Sequence, residues 1–305
     1  MVGWSNVGGL QELMKQFPTE ESCIPALFGL KWPRGFRCPN CRHTHAYTIR
    51  TRRLPLYECS DCQHQTSLTA GTIMEGSRTS LRKWIAAIWL VSCPAAGINA
   101  VRLSSIIQVT YKTAWAMLQK IRTAICCADE QERLDQRVFG FIAFNGPRQY
   151  PNIDLGPREQ PLIVAASLDS NGEERQYKMK QVNRKHMSGK LLLPCGRDHF
   201  ITEHVSAPES MISIIRQRFR VKRNSPVYTV FRRAQRWLCD TFRGISGKYL
   251  QNYLDEFCYR ENAVARHTTG WEPLAAICCA DNGARRRYLW RAASSISPNG
   301  YFIAA

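Results

Sequence analysis

The chain has 305 residues, 42 of them Lys or Arg and 24 Asp or Glu, giving a formal charge of +18. That surplus excludes an acidic scaffold and points to a polyanionic partner, most often nucleic acid, without separating DNA from RNA or from an anionic membrane. A hydrophobic share of 44% and an aromatic share of 10% exclude intrinsic disorder, and the length fits two ordinary domains with a small extra module. Met1 to Asn6 show no basic stretch leading into an apolar core, so no signal peptide is expected. The most apolar tract, Trp84 to Val101, is broken by Ser92, Pro94, Gly97 and Asn99 and is too short to span a membrane. The expectation is an intracellular chain with no membrane partner, in which 13 cysteines do not form a disulfide framework.

In chain order, residues 1–30 are expected to form a helical segment and residues 31–75 a small β module. Cys38-Pro39-Asn40-Cys41 and Cys59-Ser60-Asp61-Cys62 are two C-x-x-C pairs with 17 residues between them. Each pair presents two thiolates from one turn, and two such turns close a tetrahedron around one structural Zn²⁺ at roughly 2.3 Å. Ala46 to Arg50 and Leu56 to Cys59 are short strand-like runs that make the intervening hairpin. His43, His45 and His64 lie nearby and read as surface or phosphate-contact residues. The other nine cysteines (Cys23, Cys93, Cys126, Cys127, Cys195, Cys239, Cys258, Cys278 and Cys279) read as small buried hydrophobes.

Residues 76–130 read as helical. Ser80 is a candidate N-cap, and Leu81, Trp84, Ile85, Ile88 and Trp89 share one helix face. A second helix covers Asn99 to Ile107, a break falls at Gln108-Val109-Thr110, and a third helix runs from Tyr111 to Ile125. The last two form a helix-turn-helix pattern, with Tyr111, Lys112 and Thr113 at the start of the base-reading helix. A plain three-helix bundle fits the same periodicity.

Several tracts resemble one family. They are Phe36 to Cys41, Tyr57 to Cys62, Thr66 to Thr72, Leu81 to Trp84, Tyr111 to Trp115 and Gly244 to Arg260. The family is the small bacterial insertion-sequence transposases, with an N-terminal zinc ribbon and a ribonuclease H-like, integrase-like catalytic domain. The likeness covers roughly residues 18 to 262. It implies an α+β multi-domain chain: a β zinc ribbon (31–75), a helix-turn-helix domain (76–130), an α/β ribonuclease H-like domain (136–262) and a divergent C-terminal extension (263–305). It also implies double-stranded DNA as partner, a nucleoid-associated place in a bacterial cytoplasm, and compatibility with a homo-oligomer. In the family, three acidic residues (the third sometimes Asn) hold two Mg²⁺ ions for cleavage and joining of DNA.

This sequence departs from that pattern at each acid. The first strand, Arg137 to Gly146, carries none, and Asn145 is a neutral, weak Mg²⁺ ligand. Phe200 to His204 stands where the family's second acid follows a short strand, which leaves Glu203 as a vestigial candidate. The helix expected between Ser225 and Phe242 offers only Asp240 among arginines. Asp169 reads as a turn residue, and Asp255 and Glu256 as structural.

The leading reading is therefore a transposase-derived DNA-binding protein that has lost its metal-binding acids, with Zn its only cofactor. An active Mg-dependent transposase and a zinc-stabilised protein-interaction module are the alternatives. Arg34, Arg37, Arg50, Arg52 and Arg53 are expected to anchor phosphates, Tyr111, Lys112 and Thr113 to read bases, and Arg216, Arg218, Arg220, Lys222 and Arg223 to supply a basic platform. Arg285 to Arg287 are further phosphate-contact candidates.

Overall fold

The helices of the N-terminal half form where apolar residues recur at helical spacing, and the central strands of the C-terminal half where short apolar runs are nearly continuous. A computed structural model describes residues 4–93, 97–147 and 154–280, with side chains from residue 9 onward. The chain is mixed α+β and divides into two units. One draws on Met1–Ala124 and Gly270–Phe302, the other on Ile125–Thr269.

The first unit holds helices α1 (Trp4–Gln16) and α2 (Cys23–Lys31), the antiparallel sheet β1 (Ala46–Ile49), β2 (Leu56–Cys59) and β3 (Gln65–Ser67), and helices α3 (Leu81–Ser92) and α4 (Ala100–Ile107). Helix α5 (Tyr111–Gln131) begins in this unit and runs past Ile125, six residues beyond the end its apolar pattern suggested. Trp84, Ile85, Ile88, Leu103, Leu118 and Ile121 are buried, as their helical spacing requires. Ser80 occupies the N-cap position of α3 but makes no side-chain cap bond; the Glu20 carboxylate accepts the Leu81 N–H at 3.0 Å instead. Part of the tract read as a C-terminal extension forms α9 (Glu272–Cys279), which packs on α2 and α3. There the Cys278 carbonyl accepts the Ile73 N–H, and Trp271 meets Phe17 edge-on.

The second unit is built on a four-stranded sheet in the order β6-β5-β4-β9, from β4 (Arg137–Asn145), β5 (Gln160–Leu168), β6 (Glu174–Gln181) and β9 (Ile212–Ile215). The first three strands are antiparallel, and β9 returns parallel to β4. A two-stranded ribbon, β7 (Met187–Ser188) with β8 (Leu191–Leu192), precedes α6 (Pro194–His204). Helices α7 (Pro226–Phe242) and α8 (Gly247–Ala265) follow β9.

Alternation along β4 and β5 divides the core in two. Phe141, Ala143, Leu162 and Val164 join the cluster that includes α7 and α8 residues, while Val138, Ile142, Ile163 and Ala165 join Phe200 of α6. Gly140 is required by close approach: a Cβ there would stand 2.9 Å from the Ala165 Cβ and 3.0 Å from the Val164 carbonyl oxygen.

The sheet edge at β6 is closed by side chains of α8. Gln251 accepts the Gln181 N–H at 2.7 Å and donates to the Met179 carbonyl, and Asn262 accepts the Tyr177 N–H at 2.7 Å and donates to its carbonyl. These amides saturate an edge that would otherwise invite another strand. Beside them, buried Lys180 bridges Asp129 and Asp255, each at 2.7 Å, and fully buried Lys178 reaches Asp129 at 2.7 Å. Burial pushes Asp255 upward, against the pull of Lys180. Burial also opposes ionisation of Asp129, yet Lys180 and Lys178 hold its carboxyl below the ordinary range.

Candidate nucleic-acid interface and zinc centre

The two C-x-x-C turns are built alike. In the first, Cys38 N–H donates to the His43 carbonyl, Arg42 N–H donates to the Cys38 carbonyl, and Arg42 takes the left-handed conformation at φ 67°. In the second, Cys59 pairs with His64, Gln63 N–H returns to Cys59, and Gln63 lies at φ 58°. The turns bring the thiols of Cys38, Cys41, Cys59 and Cys62 within 4.8 Å of one another. The Cys38–Cys62 and Cys41–Cys59 sulfurs stand 3.6 and 3.5 Å apart. A zinc tetrahedron with bonds of roughly 2.3 Å has edges of about 3.8 Å, so the four thiols fit a closed, structural zinc site.

A hydrogen bond from the Asn40 side chain, foremost, draws the Cys62 thiol down to about 6. Against a backbone hydrogen bond from His43, desolvation and the other sulfurs push Cys41 up to about 12. Among the described residues this is the only cluster of three or more His, Cys, Asp or Glu side chains that could hold a metal ion, and none of the three nearby histidines belongs to it. Of the nine remaining cysteines, Cys195 and Cys239 are exposed rather than buried, because they fall near the N-terminus of α6 and on the solvent side of α7.

Arg34, Arg37, Arg50, Arg52 and Arg53 are all exposed in the first unit, and Arg53 approaches Glu20 at 3.8 Å. Helix α4 is capped by Asn99 and ends at Gln108, which adopts the left-handed conformation at φ 52°. Thr110 caps α5 by accepting the Thr113 N–H. Tyr111 and Lys112 are exposed at the first turn of α5, whereas the Thr113 hydroxyl lies 2.9 Å from that of Thr110 and helps to close the turn.

In the second unit a cleft of about 1390 Å³ opens at the C-terminal end of β4. Its lining includes Phe141, Phe144, Asn145, Tyr228 and Phe231, with Arg158, Lys190, Arg218, Arg223, Arg232, Arg236 and Arg243. Its floor is aromatic: Phe141 lies 5.9 Å from Tyr228 and 6.3 Å from Phe231, and Tyr228 lies 6.1 Å from Phe231, between ring centroids. Arg218 and Lys190 each stand 5.7 Å from the centre of the Phe144 ring.

Among the described residues the sole carboxylate in the lining is Glu159. It is 1% exposed, accepts the Gly156 N–H and is paired with Lys190 at 2.9 Å. This donor set does not fit a pair of Mg²⁺ ions, which require several anionic oxygens around one point.

The placement of Glu203 needs correcting. It does not follow a strand: it lies exposed within α6, a helix that starts at Pro194 and ends at His204, and the sheet's fourth strand comes only at Ile212. Asp169 organises the β5–β6 turn by accepting the Asn171 and Glu173 N–H groups. Of the predicted basic platform, Arg218 and Arg223 line the cleft. Sequence reading missed Arg232, Arg236 and Arg243 as cleft residues; the i, i+4 spacing of the first two was the available signal. Arg285 to Arg287 lie outside the described residues.

Fold and site define a basic, two-unit protein with a four-thiol cluster fit for a metal in one unit and an arginine-lined cleft in the other. Comparison with known proteins agrees. Residues 18–65 match a transposase zinc-ribbon domain, and residues 191–262 match an ISXO2-like transposase domain. The chain is also 29% identical over 113 residues to an uncharacterized protein in transposable element ISH50 of Halobacterium salinarum. That alignment covers 37% of this chain and 38% of the relative. No solved structure matches. The two matched segments, 18–65 and 191–262, are thus similar to domains of insertion-sequence transposases.

Proposed function

We propose that the chain is a transposase-derived DNA-binding protein whose cleft no longer performs metal-dependent cleavage and strand transfer. The observation that carries this reading is the aromatic floor of Phe141, Tyr228 and Phe231, set where the central strand and the helix after β9 meet. The resemblance calls for acids on that strand and that helix. The order of three antiparallel strands with a fourth parallel to the first supports a ribonuclease H-like reading of this unit. The capped turn between α4 and α5 supports a helix-turn-helix reading of the other.

In this mechanism the zinc, when bound, stiffens the ribbon and takes no part in chemistry. Arg34, Arg50, Arg52 and Arg53 contact phosphates of double-stranded DNA, while Tyr111 and Lys112 face base edges from the start of α5. Replacing carboxylates by aromatic rings removes both metal affinity and the charge that would stabilise a departing phosphate oxygen.

The test is incubation of the full chain with duplexes bearing its element's terminal repeats, with and without Mg²⁺. Retention at low salt without nicked or joined products is expected. Robust Mg²⁺-dependent joining overturns the loss of chemistry, and absence of retention at low salt overturns the DNA reading. Lys112→Ala should lower discrimination between sites by about 1–3 kcal/mol. Arg52→Ala should weaken all sequences alike and reduce the salt slope by about 0.9.

A further inference from the structure

The cleft has chemistry that duplex binding by the other unit leaves unexplained. Its volume, about 1390 Å³, exceeds the roughly 300–1,000 Å³ of small-molecule sites. Among the described residues its arginines outnumber its single carboxylate, and Lys190 engages that carboxylate. The lining therefore suits a chain of phosphates rather than one compact anion.

Phe219 adds a second feature. It follows β9 in a short 3-10 turn between Arg218 and Arg220, lines the cleft, and is 82% exposed, the highest value among the large hydrophobic side chains exposed in the described residues. An exposed aromatic ring in the lining of an arginine-rich cleft offers a face on which a base can stack. Inside duplex DNA the base faces are covered by their neighbours, whereas an unpaired base offers its face to such a ring without unstacking.

We infer that this cleft binds a single-stranded polynucleotide, with phosphates on Arg223, Arg232, Arg236 and Arg243 and an unpaired base stacked on Phe219. The inference deepens the DNA-binding reading by naming the partner of the second unit. It does not depend on duplex recognition by α5. No metal takes part in this contact, because stacking and guanidinium–phosphate pairing supply the attraction.

The test uses the full chain and fluorescence anisotropy in Mg²⁺-free buffer, with a 5′-labelled oligothymidylate about as long as one single-strand site, roughly 12 nucleotides, and a blunt duplex carrying the terminal repeat. Phe219→Ala should weaken oligothymidylate binding about tenfold and leave duplex binding unchanged. Because Phe219 is exposed, the variant should fold normally, and Phe219→Trp should restore the affinity. The double variant Arg232→Gln, Arg236→Gln should lower the single-strand salt slope by about 1.4. Unchanged oligothymidylate affinity in Phe219→Ala, or an equal loss for both probes, overturns the inference. A protein that ignores the duplex yet binds oligothymidylate through Phe219 sinks the duplex reading and keeps this one.

Discussion

The zinc ribbon and the β6–α8 edge both hold charge out of water, by opposite means. The ribbon has a three-stranded sheet with strands of four, four and three residues. A module of that size buries little apolar surface, and a metal held by its four thiols would supply folding free energy. The edge has a large apolar core on its inner face and adds Lys178, Lys180, Asp129 and Asp255 as a closed network, with Gln251 and Asn262 satisfying backbone groups. The two parts therefore depend on different interactions. The second unit rests on the edge network and on a core whose Phe141, Ala143, Phe231 and Leu238 also line the cleft, whereas the ribbon is expected to depend on its four thiols.

The largest test of that contrast is Cys38→Ser. On the order of 10 kcal/mol of metal-coupled folding free energy should go from the ribbon. Zinc content should fall, and amide protection of β1 to β3 should vanish while that of β4 to β6 persists. Hydrogen exchange that collapses in both sheets together would break the contrast.

Next comes the buried network. Asp255→Ala leaves Lys180 with Asp129 as its remaining carboxylate in an apolar setting and should destabilise the second unit by about 3–5 kcal/mol in chemical denaturation. A loss under 1 kcal/mol would show that the network is dispensable.

A smaller effect concerns acid. His204 is drawn down to about 4, chiefly by burial and then by Lys180 and Lys178, and its Nδ1 has no hydrogen-bond partner. A histidine with a depressed folded pKa stabilises above its unfolded value near 6.5, and that stability is lost as pH falls toward about 4. The second unit should thus lose about 2 kcal/mol across that window, a figure already reduced for the ring's partial solvation. His204→Gln should flatten the slope of denaturation midpoint against pH over that window; an unchanged slope shows that His204 does not carry it.

The smallest effect sharpens the ribbon side. Gln63 holds a left-handed backbone without being glycine. Gln63→Gly should relieve about 0.5–1 kcal/mol and slow zinc release to a chelator slightly.

Local chemistry was legible in the residues themselves. The C-x-x-C turns place four sulfurs by short-range geometry, so the spacing alone predicted the cluster found. The apolar stripes of α3 and α5 and the runs that became β4 and β5 were equally visible, since periodicity is written within each segment. Glu203 misled because strand and helix are hard to tell apart over five residues, and its neighbours on both sides extend α6.

The residues alone fixed the paired C-x-x-C turns, the basic surplus, the likeness to transposase domains and the absence of acids along the first strand. Only tertiary structure decided that Glu20 caps α3 across 61 residues, that Lys180 meets Asp255 across 75, and that Phe141, Tyr228 and Phe231 share one floor. The physical reason is separation along the chain. Such contacts arise when sheet and helices close on a common core, and neither partner carries a mark of the other until they do.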